Sequence, residues 1–408
     1  MSLAYGEYDN IPGTIVFDGR KAVRGYALNK MCFSFNSAAN REAFRRDEDG
    51  YCAKYNLTTE QHQAVKSRDV LKLLEAGGNI YYPGEMGRYI RPQRSTDRRS
   101  AARHDGGAVQ GNGRPCWSRL GMAKIVGGIA TSHIPSIGKA IARGLYDDPG
   151  WKDFFDGYKP VHQWLDQVQP DVAVVIYNDH GLNFFLDKMP TFAIGAAPEY
   201  RNEDEGWGLP VAAPFPGDPE LSWHLIESLV ADEFDITMCQ EMLVDHAFTV
   251  PMALLWPGKN RRPVRTVPVS INTVQIPLAT PARCFKLGQA IGRALASFNK
   301  NERVVLVGTG GLSHQLDGTR AGFINKKFDR MCIEKIVKDP QFLTRFSIAD
   351  LIRESGAQGV ELLMWIVMRA ALGDQVSEIH TKYHVPVSNT AAAVMVLENT
   401  VWSEQWLD

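Results

Sequence analysis

Three stretches of the chain are continuously apolar and rich in β-branched residues, which is typical of strands covered on both faces. They predict strands over residues 123–129, 171–177 and 303–308. Between the strands, apolar residues recur at helical spacing, for example over residues 221–231 and 282–298. Residues 122–408 are therefore predicted to form an α/β domain, with a largely buried β-sheet core flanked by helices.

The first 86 residues have helical periodicity instead. Thr58 and Gln61 match a capping box, in which two side chains satisfy free amides at a helix start. An apolar run at residues 70–74 follows, and Gly77-Gly78 predicts the end of that helix. Residues 1–86 are therefore predicted to be a small all-α domain that packs on the larger one.

Residues 87–121 separate the two predicted domains and have almost no apolar periodicity. Their composition is typical of a solvated linker, and an arginine-rich arm for nucleic acid is the weaker alternative. The arginines of this segment are Arg88, Arg91, Arg94, Arg98, Arg99, Arg103, Arg114 and Arg119.

Composition is that of an ordinary globular enzyme, with 44% hydrophobic and 22% charged residues among 408. The net charge of −1 gives no reason to expect nucleic acid or an acidic membrane as partner. No apolar run approaches the ~20 residues of a membrane span, and the start of the sequence lacks a secretory signal pattern. The six cysteines form no Cys-x-x-Cys pair and are expected to be reduced, so a cytoplasmic protein is predicted.

Histidines occur where strands are predicted to give way to loops, at His133, His180 and His314. Because ligands bind beyond the carboxyl ends of strands in open α/β sheets, these three imidazoles are expected in one cleft. A fourth histidine, His246, follows Val-Asp. Any one of these histidines could instead be a hydrogen-bonded surface side chain without a functional role.

Glu361 lies within the apolar run Val360–Val367, which is predicted to be a buried helix. A carboxylate there must be paired, protonated or metal-bound. An ion pair with Arg369 is one alternative, whereas Glu354 sits in a polar turn and is expected to be solvated. Two imidazoles and one carboxylate are the ligands of non-haem Fe(II) sites with open positions. Zinc accepts the same ligands and would suit a hydrolase.

Ser388, Asn389 and Thr390 precede the last apolar run, residues 391–397, which is predicted to be a helix. A hydroxyl and backbone amides at a helix start could bind a substrate carboxylate. A plain helix cap is the alternative.

These residues lie in stretches that resemble class II extradiol ring-cleaving enzymes of the protocatechuate 4,5-dioxygenase family. Residues 122 to about 397 resemble its catalytic β subunit, and residues 8 to about 86 resemble its small α subunit. The matching stretches are Thr131-Ser-His-Ile-Pro135, Tyr177-Asn-Asp-His180, Pro190-Thr-Phe-Ala-Ile-Gly195, Asp204-Glu-Gly-Trp-Gly208, Val244-Asp-His246, Gly308-Thr-Gly-Gly-Leu-Ser-His-Gln315, Arg353-Glu-Ser-Gly356, Gly359-Val-Glu361, Asp9-Asn-Ile-Pro-Gly-Thr14, Arg24-Gly-Tyr-Ala-Leu-Asn29 and Gly77-Gly-Asn-Ile-Tyr81.

The resemblance implies an Fe(II) cofactor with O₂ and a small aromatic catechol carboxylate as substrates. In this chain the α-like part precedes the β-like part, so the resemblance implies two subunits fused in one chain. Gallate dioxygenases are fused in the opposite order, β before α, which favours protocatechuate over gallate or 3-O-methylgallate as the substrate. The resemblance also implies a homodimer of the fused chain. A non-catalytic binding protein on the same scaffold is disfavoured, because it would not need an acid–base histidine. The implied roles are metal ligation by His133, His180 and Glu361, active-site base for His314, a group near the O₂ site for His246, and substrate-carboxylate contacts for Ser388 and Asn389.

Overall fold

The computed structural model describes residues 11, 14–17, 19–81, 122–258, 264–385 and 388–400. The predicted linker at residues 87–121 lies outside this range. Within the part of the chain described, no helix combines the length and apolar character needed to cross a membrane.

The N-terminal region is helical, as its periodicity predicts. The capping box at Thr58 and Gln61 is confirmed, because each side chain bonds the other residue's backbone amide. Gly77 has a φ of +95°, so a left-handed residue follows the last helix. The helices are α1 (Gly19–Phe33), α2 (Ala38–Arg46), α3 (Glu48–Lys54), α4 (Thr59–Ser67) and α5 (Val70–Glu75).

The larger region is built on a mixed eight-stranded sheet with the order β6-β3-β7-β2-β8-β1-β10-β9. Its four central strands, β7, β2, β8 and β1, run parallel. The three predicted strands are confirmed as β1, β2 and β8. The main-sheet strands are β1 (Lys124–Thr131), β2 (Val172–Tyr177), β3 (Phe192–Gly195), β6 (Thr237–Cys239), β7 (Arg265–Ile271), β8 (Arg303–Thr309), β9 (Val376–His384) and β10 (Ala392–Asn399), and β4 (Glu199–Tyr200) pairs with β5 (Phe215–Pro216).

Helices cover both faces of this sheet and form an apolar core on each side. Burial of these faces explains why the central strands are continuously apolar. The two helices predicted near residues 221–231 and 282–298 are confirmed as α9 and α11. The helices are α6 (Pro135–Ala142), α7 (Lys152–Asp156), α8 (Lys159–Val168), α9 (Pro219–Ala231), α10 (His246–Leu255), α11 (Pro281–Ser297), α12 (Lys326–Lys338), α13 (Ile348–Ser355) and α14 (Leu362–Ala371).

The helical region packs directly on the α/β region. Phe185 of the larger region enters the small core, with its ring centroid 5.2 Å from those of Tyr26 and Phe33. Two asparagine side chains add bonds to backbone carbonyls across the contact: Asn36 to Gly181 at 3.0 Å and Asn79 to Val274 at 2.9 Å. The prediction that the small region cannot hold a large core alone agrees with this shared packing.

Three local predictions were wrong. Glu354 does not lie in a solvated polar turn: it is in the last turn of α13, is half-buried and accepts a hydrogen bond from Asn325. Glu361 does not lie inside a helix: it ends a 3₁₀ turn (Gly359–Glu361) and is the N-cap of α14. The final apolar run forms strand β10, which pairs with β1 and β9, and so no helix begins at Ser388. A short run of Ala and Val is compatible with a helix or a strand. Residues 392–399 form a strand because they pair with β1 on one side and β9 on the other.

Candidate metal centre

Three of the predicted histidines follow neighbouring parallel strands. His133 comes after β1, His180 after β2 and His314 after β8, and the sheet places β8 between the other two. The carboxyl ends of parallel strands meet at one edge of the sheet. The structure therefore brings the three imidazoles into one cleft, as the sequence predicts.

Glu361 lies among these histidines and is only 2% exposed. Its Oε2 atom is 3.3 Å from His133 Nε2, and its Oε1 atom is 3.4 Å from His180 Nε2. One ligand atom from each of the three residues lies within 4.8 Å of the others. Two imidazole nitrogens and a carboxylate oxygen thus converge on one point.

Hydrogen bonds on the outer nitrogens hold both imidazoles in this orientation. His133 Nδ1 is 3.1 Å from Thr309 Oγ1, and His180 Nδ1 is 2.8 Å from Asp245 Oδ2. Asp245 is itself fixed as the N-cap of α10, where it accepts the Ala247 amide. Such partners on the outer nitrogen select the tautomer whose inner nitrogen is a free ligand.

Glu361 is held as a carboxylate. Burial would raise its pKa, but the charge and hydrogen bond of His133 and the hydrogen bond of His180 keep it well below the ordinary value. The Gly311 amide also donates to Oε2 at 2.9 Å. The alternative ion pair with Arg369 is not formed, since that guanidinium donates to the Ile336 carbonyl of α12 and to two carbonyls beyond the C-terminal end of α14.

The donor set fits a divalent transition metal. The three side chains are nearly buried, and a buried carboxylate that faces two imidazole nitrogens must pair with their protonated forms or share a metal ion with them. Two histidines and one carboxylate suit Fe(II) and also Zn(II). The geometry is thus that of a three-ligand site open towards the cavity described below.

His314 lies beside the carboxylate but has a different environment. Its Nδ1 lies 2.9 Å from the Leu312 carbonyl, which requires Nδ1 to carry the proton and leaves Nε2 as an acceptor. Nε2 is 3.7 Å from Glu361 Oε2. Burial lowers the His314 pKa, although the Glu361 charge opposes that shift. In its neutral form, His314 therefore has Nε2 available as an acceptor, which is what a general base needs.

The backbone of His314 is fixed by the end of α13. Its amide donates to the Ser355 carbonyl at 2.8 Å. The next residue, Gly356, has a φ of +89°, and a Cβ there would lie 2.1 Å from the His314 carbonyl oxygen. This close approach requires glycine and explains the Ser-Gly pair of the Arg353-Glu-Ser-Gly356 stretch.

His246 is the first residue of α10 and packs against a candidate ligand. Its ring stacks on that of His180, with centroids 4.2 Å apart and planes at 24°. Its Nδ1 is 2.7 Å from Glu205 Oε2. His246 therefore faces the same cleft without being one of the three convergent donors.

These residues line a cavity of about 460 Å³. The N-terminal region closes one side of it, since the Tyr81 ring lies 4.9 Å from the His180 ring. The helical region is thus part of the site. Besides Tyr81, the side chains that line the cavity include His133, His180, Glu361, His246, His314, Ser136, Lys139, Glu205, Trp207, Ser388 and Asn389.

Ser388 and Asn389 reach the cavity from the segment before β10. The Ser388 hydroxyl is buried and has no hydrogen-bond partner among the described residues, whereas Asn389 is exposed. Thr390, next to them, forms a bridge with His314. The pair therefore lies near the candidate base, but it is not at a helix start.

Several site residues have no clear signal in sequence spacing. Thr309 and Asp245 orient the two imidazoles, and Glu205 bonds His246. Asp245 and Glu205 occur in the Val244-Asp-His246 and Asp204-Glu-Gly-Trp-Gly208 stretches, but only the fold shows their partners. Lys139 lines the cavity three residues after Ser136, and α6 presents both side chains to it.

The chain is similar to known protein families. The chain matches the family profile "Catalytic LigB subunit of aromatic ring-opening dioxygenase" over residues 127–396, and "Aromatic-ring-opening dioxygenase LigAB, LigA subunit" over residues 28–94. A crystal structure of an uncharacterized protein from Escherichia coli K12 aligns at a TM-score of 0.40 and 13% identity, over 66% of this chain and 99% of that one, which is too distant to carry an argument.

Curated relatives are similar over parts of the chain. Gallate dioxygenase from Pseudomonas putida is 39% identical over 196 residues, which are 48% of this chain and 57% of that protein. A 2,3-dihydroxyphenylpropionate/2,3-dihydroxicinnamic acid 1,2-dioxygenase from Cupriavidus necator is 40% identical over 146 residues, 36% of this chain and 44% of that protein. The chain spans about half the length of these relatives. Because the first profile covers well over half of the 408 residues, the chain belongs to the family of catalytic LigB subunits of aromatic ring-opening dioxygenases.

Proposed function

We propose that this chain opens the ring of a catechol carboxylate with O₂, beside its diol pair, at a non-haem Fe(II) centre. Protocatechuate is the proposed substrate, and 4-carboxy-2-hydroxymuconate semialdehyde is the product. The observation that carries the proposal is one cavity in which two imidazole nitrogens and a carboxylate converge and a third histidine, His314, has its Nδ1 bonded to a backbone carbonyl and its Nε2 towards the carboxylate.

Enzymes of this family use a metal, and we assign its ligands as His133, His180 and Glu361. Fe(II) bound there would offer open positions to the two catechol hydroxyls and to O₂ and would pass electron density between them. Thr309 and Asp245 keep the imidazoles in the ligating tautomer. Zinc would fit the same donors without this redox chemistry, so a zinc hydrolase is the competing assignment.

His314 is assigned the proton transfers. Its free Nε2 accepts a proton from one catechol hydroxyl, and the resulting imidazolium returns that proton when the O–O bond breaks. Burial favours the neutral form at the start of this cycle. The neighbouring Glu361 carboxylate, 3.7 Å away, stabilises the charged form midway.

His246 and the helical region are assigned the protection of the O₂ side of the cavity. His246 is held between the His180 ring and the Glu205 carboxylate, so its orientation is fixed. Tyr81 covers His180 from the N-terminal region and excludes water from that side. Removal of the helical region should therefore expose the centre to solvent.

Ser388 and Asn389 are assigned contacts to the substrate carboxylate. The buried Ser388 hydroxyl has no other partner among the described residues and can donate to an anion entering the cavity. A donor with no protein partner at this depth is costly unless a ligand or water satisfies it. A catechol that bears a carboxylate should therefore bind better than plain catechol.

Gallate and 3-O-methylgallate are the second candidates, because one relative with 39% identity is a gallate dioxygenase. These substrates also have a carboxylate, and they differ from protocatechuate at one ring position. The side chains beside that position select among the three. The ligand set and base proposed here are common to all of them.

The deciding experiment is oxygen uptake by the Fe(II)-loaded full chain with protocatechuate, gallate, 3-O-methylgallate and catechol in parallel. We expect the highest kcat/KM with protocatechuate and the lowest with catechol. A higher value with gallate would move the assignment to the second candidate. No oxygen uptake with any of the four, together with tight zinc binding, would reject the proposed reaction.

A further inference from the structure

Asn178 is a fully buried polar side chain beside the candidate metal centre, and the proposed reaction gives it no role. It directly follows Tyr177, the last residue of β2, and lies two residues before His180. It is not among the residues that line the cavity. A substrate in the cavity therefore does not explain why an amide is buried at this position.

The amide nitrogen of Asn178 faces two of the proposed ligand atoms. Its Nδ2 atom lies 3.3 Å from Glu361 Oε1 and 3.0 Å from His180 Nε2. A neutral imidazole nitrogen has one lone pair, which a bound metal would take, whereas a carboxylate oxygen has two. The hydrogen bond from Asn178 to Glu361 can therefore coexist with a metal at the site, and a bond to His180 Nε2 cannot.

Glu361 thus accepts a hydrogen bond from an uncharged donor at each carboxylate oxygen. Asn178 donates to Oε1, and the Gly311 amide donates to Oε2 at 2.9 Å. The two donors come from different strand ends, since Asn178 follows β2 and Gly311 lies in the loop after β8. Donors on both oxygens limit rotation of the carboxylate about its Cγ–Cδ bond. Because neither donor is charged, the carboxylate keeps its charge for a metal ion shared with the imidazoles.

The other end of the Asn178 amide does not explain its orientation. Its Oδ1 atom is buried and has no hydrogen-bond partner among the described residues. A buried acceptor without a partner costs free energy. The contacts of Nδ2 with the ligand atoms are therefore what favours this orientation. Turning the amide over would place Oδ1 against Glu361 Oε1, and two oxygen acceptors repel each other.

We propose that Asn178 is a positioning residue of the metal centre, which holds the Glu361 carboxylate at Oε1 and thereby raises metal affinity. The inference rests on the metal site of the proposed function and deepens it. It gives the carboxylate ligand a fixed side-chain partner, as Thr309 and Asp245 are for the imidazoles. It applies to Fe(II) and to zinc alike, because both would use the same carboxylate.

The test is a double-mutant cycle on metal affinity, because a residue that acts through Glu361 has no effect once that carboxylate is removed. The variants of the full chain are Asn178→Ala, Glu361→Ala and the double variant, and Asn178→Leu is a second replacement with nearly the original volume. Zinc affinity is measured by competition with a chelator, and by calorimetry where binding is weak. Melting temperatures of the same proteins report folding.

Asn272→Ala is the matched control. Asn272 is also a buried asparagine directly after a strand, β7, which runs parallel to β2 and ends at the same edge of the sheet. Its side chain bonds the backbone of Val274 and Gln275 in its own turn. The control variant should lower the melting temperature and leave zinc affinity within about twofold of the unmodified protein, the usual error of additivity.

We expect Asn178→Ala and Asn178→Leu each to lower zinc affinity about 10- to 100-fold, the range for partners of a metal ligand. In the Glu361→Ala background, Asn178→Ala should change zinc affinity by less than about twofold. The visible spectrum of the Co(II)-loaded Asn178→Ala protein should keep the coordination number of the unmodified protein, since a partner of a ligand is lost and not a ligand.

Unchanged zinc affinity in both single variants at position 178 would overturn the inference. Equal losses with and without Glu361 would also overturn it, because Asn178 would then act through His180 or the fold. A lower coordination number in the Co(II) spectrum would make Oδ1 a fourth ligand instead. Zinc affinity does not require ring cleavage, so the two proposals fail separately. A chain that shows the expected cycle but cleaves no catechol would retain this role of Asn178 and reject the reaction.

Discussion

Two walls of the same cavity differ in how firmly their polar groups are held. On the metal wall, His133, His180, His314 and Glu361 each bond at least one other protein group, and three of them are 6% exposed or less. On the substrate wall, the hydroxyls of Ser136 and Ser388 are buried without a partner among the described residues. The first wall is complete without substrate, whereas the second offers donors that substrate can satisfy.

This difference indicates a division of labour. Groups that must hold a metal and move a proton are pre-organised by neighbours, because a misplaced ligand loses affinity and rate. Groups that recognise substrate gain most when their bonds form only with the correct ligand. Changes on the metal wall should therefore abolish activity with every substrate, and changes on the substrate wall should alter which substrate is preferred.

The largest effect is expected from Glu361→Ala. It removes the only carboxylate of the ligand set, so the protein should retain almost no Fe(II) after gel filtration. Metal content by mass spectrometry measures this directly. Glu354→Ala is the control, because that side chain bonds Asn325 outside the cavity. Stoichiometric iron in the Glu361→Ala protein would remove this residue from the ligand set.

The next effect is expected from His314→Ala. The variant should bind iron and substrate but lose ring cleavage by ~10²-fold or more, the usual contribution of a general acid–base group. Single-turnover kinetics under excess O₂ separates this loss from binding. His246→Ala should lose less, mainly in its response to O₂ concentration. Turnover close to normal in His314→Ala would exclude it as the base.

Asp245→Asn tests whether metal affinity depends on the hydrogen-bond partner of the His180 nitrogen that points away from the proposed metal. Both His180 nitrogens lie against one oxygen of Asp245, which an amide oxygen can replace, but Asn lacks the negative charge and places its NH₂ group against the Ala247 amide that the second carboxylate oxygen accepts. The orientation of His180 is therefore less well held. Iron affinity should fall about 10- to 100-fold, the range for outer-partner mutations. Competition with a chelator measures it. Affinity within twofold of the unmodified protein would show that the metal wall does not depend on this bond.

Ser388→Ala should change substrate preference and leave the metal wall intact. Loss of a hydrogen bond to a charged group costs roughly 1.5–3 kcal/mol, so KM for protocatechuate should rise about tenfold or more. KM for plain catechol should stay nearly constant, since it has no carboxylate. Iron content serves as the control for folding. Equal increases in both KM values would place the carboxylate contact elsewhere.

Much of the metal wall could be predicted from local sequence. The continuous apolar runs predict strands β1, β2 and β8. Because these strands run parallel, His133, His180 and His314, which follow them, lie at one edge of the sheet. Glu361 was recognisable as a polar residue in an apolar run, although its turn was predicted as helix. From this 3₁₀ turn, the Glu361 carboxylate accepts the Gly311 amide and faces both imidazoles, contacts that its local sequence does not indicate.

The hydrogen-bond partners of the site histidines and the segment before β10 could be predicted less well, because their contacts are distant in sequence. Asp245 lies 65 residues from His180, and Glu205 lies 41 residues from His246, so spacing gave no partner for either histidine. Residues 391–397 were predicted as helix, and only pairing with β1 and β9 makes them strand β10.

The most direct test of the central claim is ring cleavage of protocatechuate by the Fe(II)-loaded chain under ¹⁸O₂, followed by mass spectrometry of the product. The account predicts one equivalent of O₂ consumed per substrate and both ¹⁸O atoms in a ring-opened semialdehyde, with no product from the zinc-loaded chain. A product without ¹⁸O, or equal activity with zinc, would contradict it.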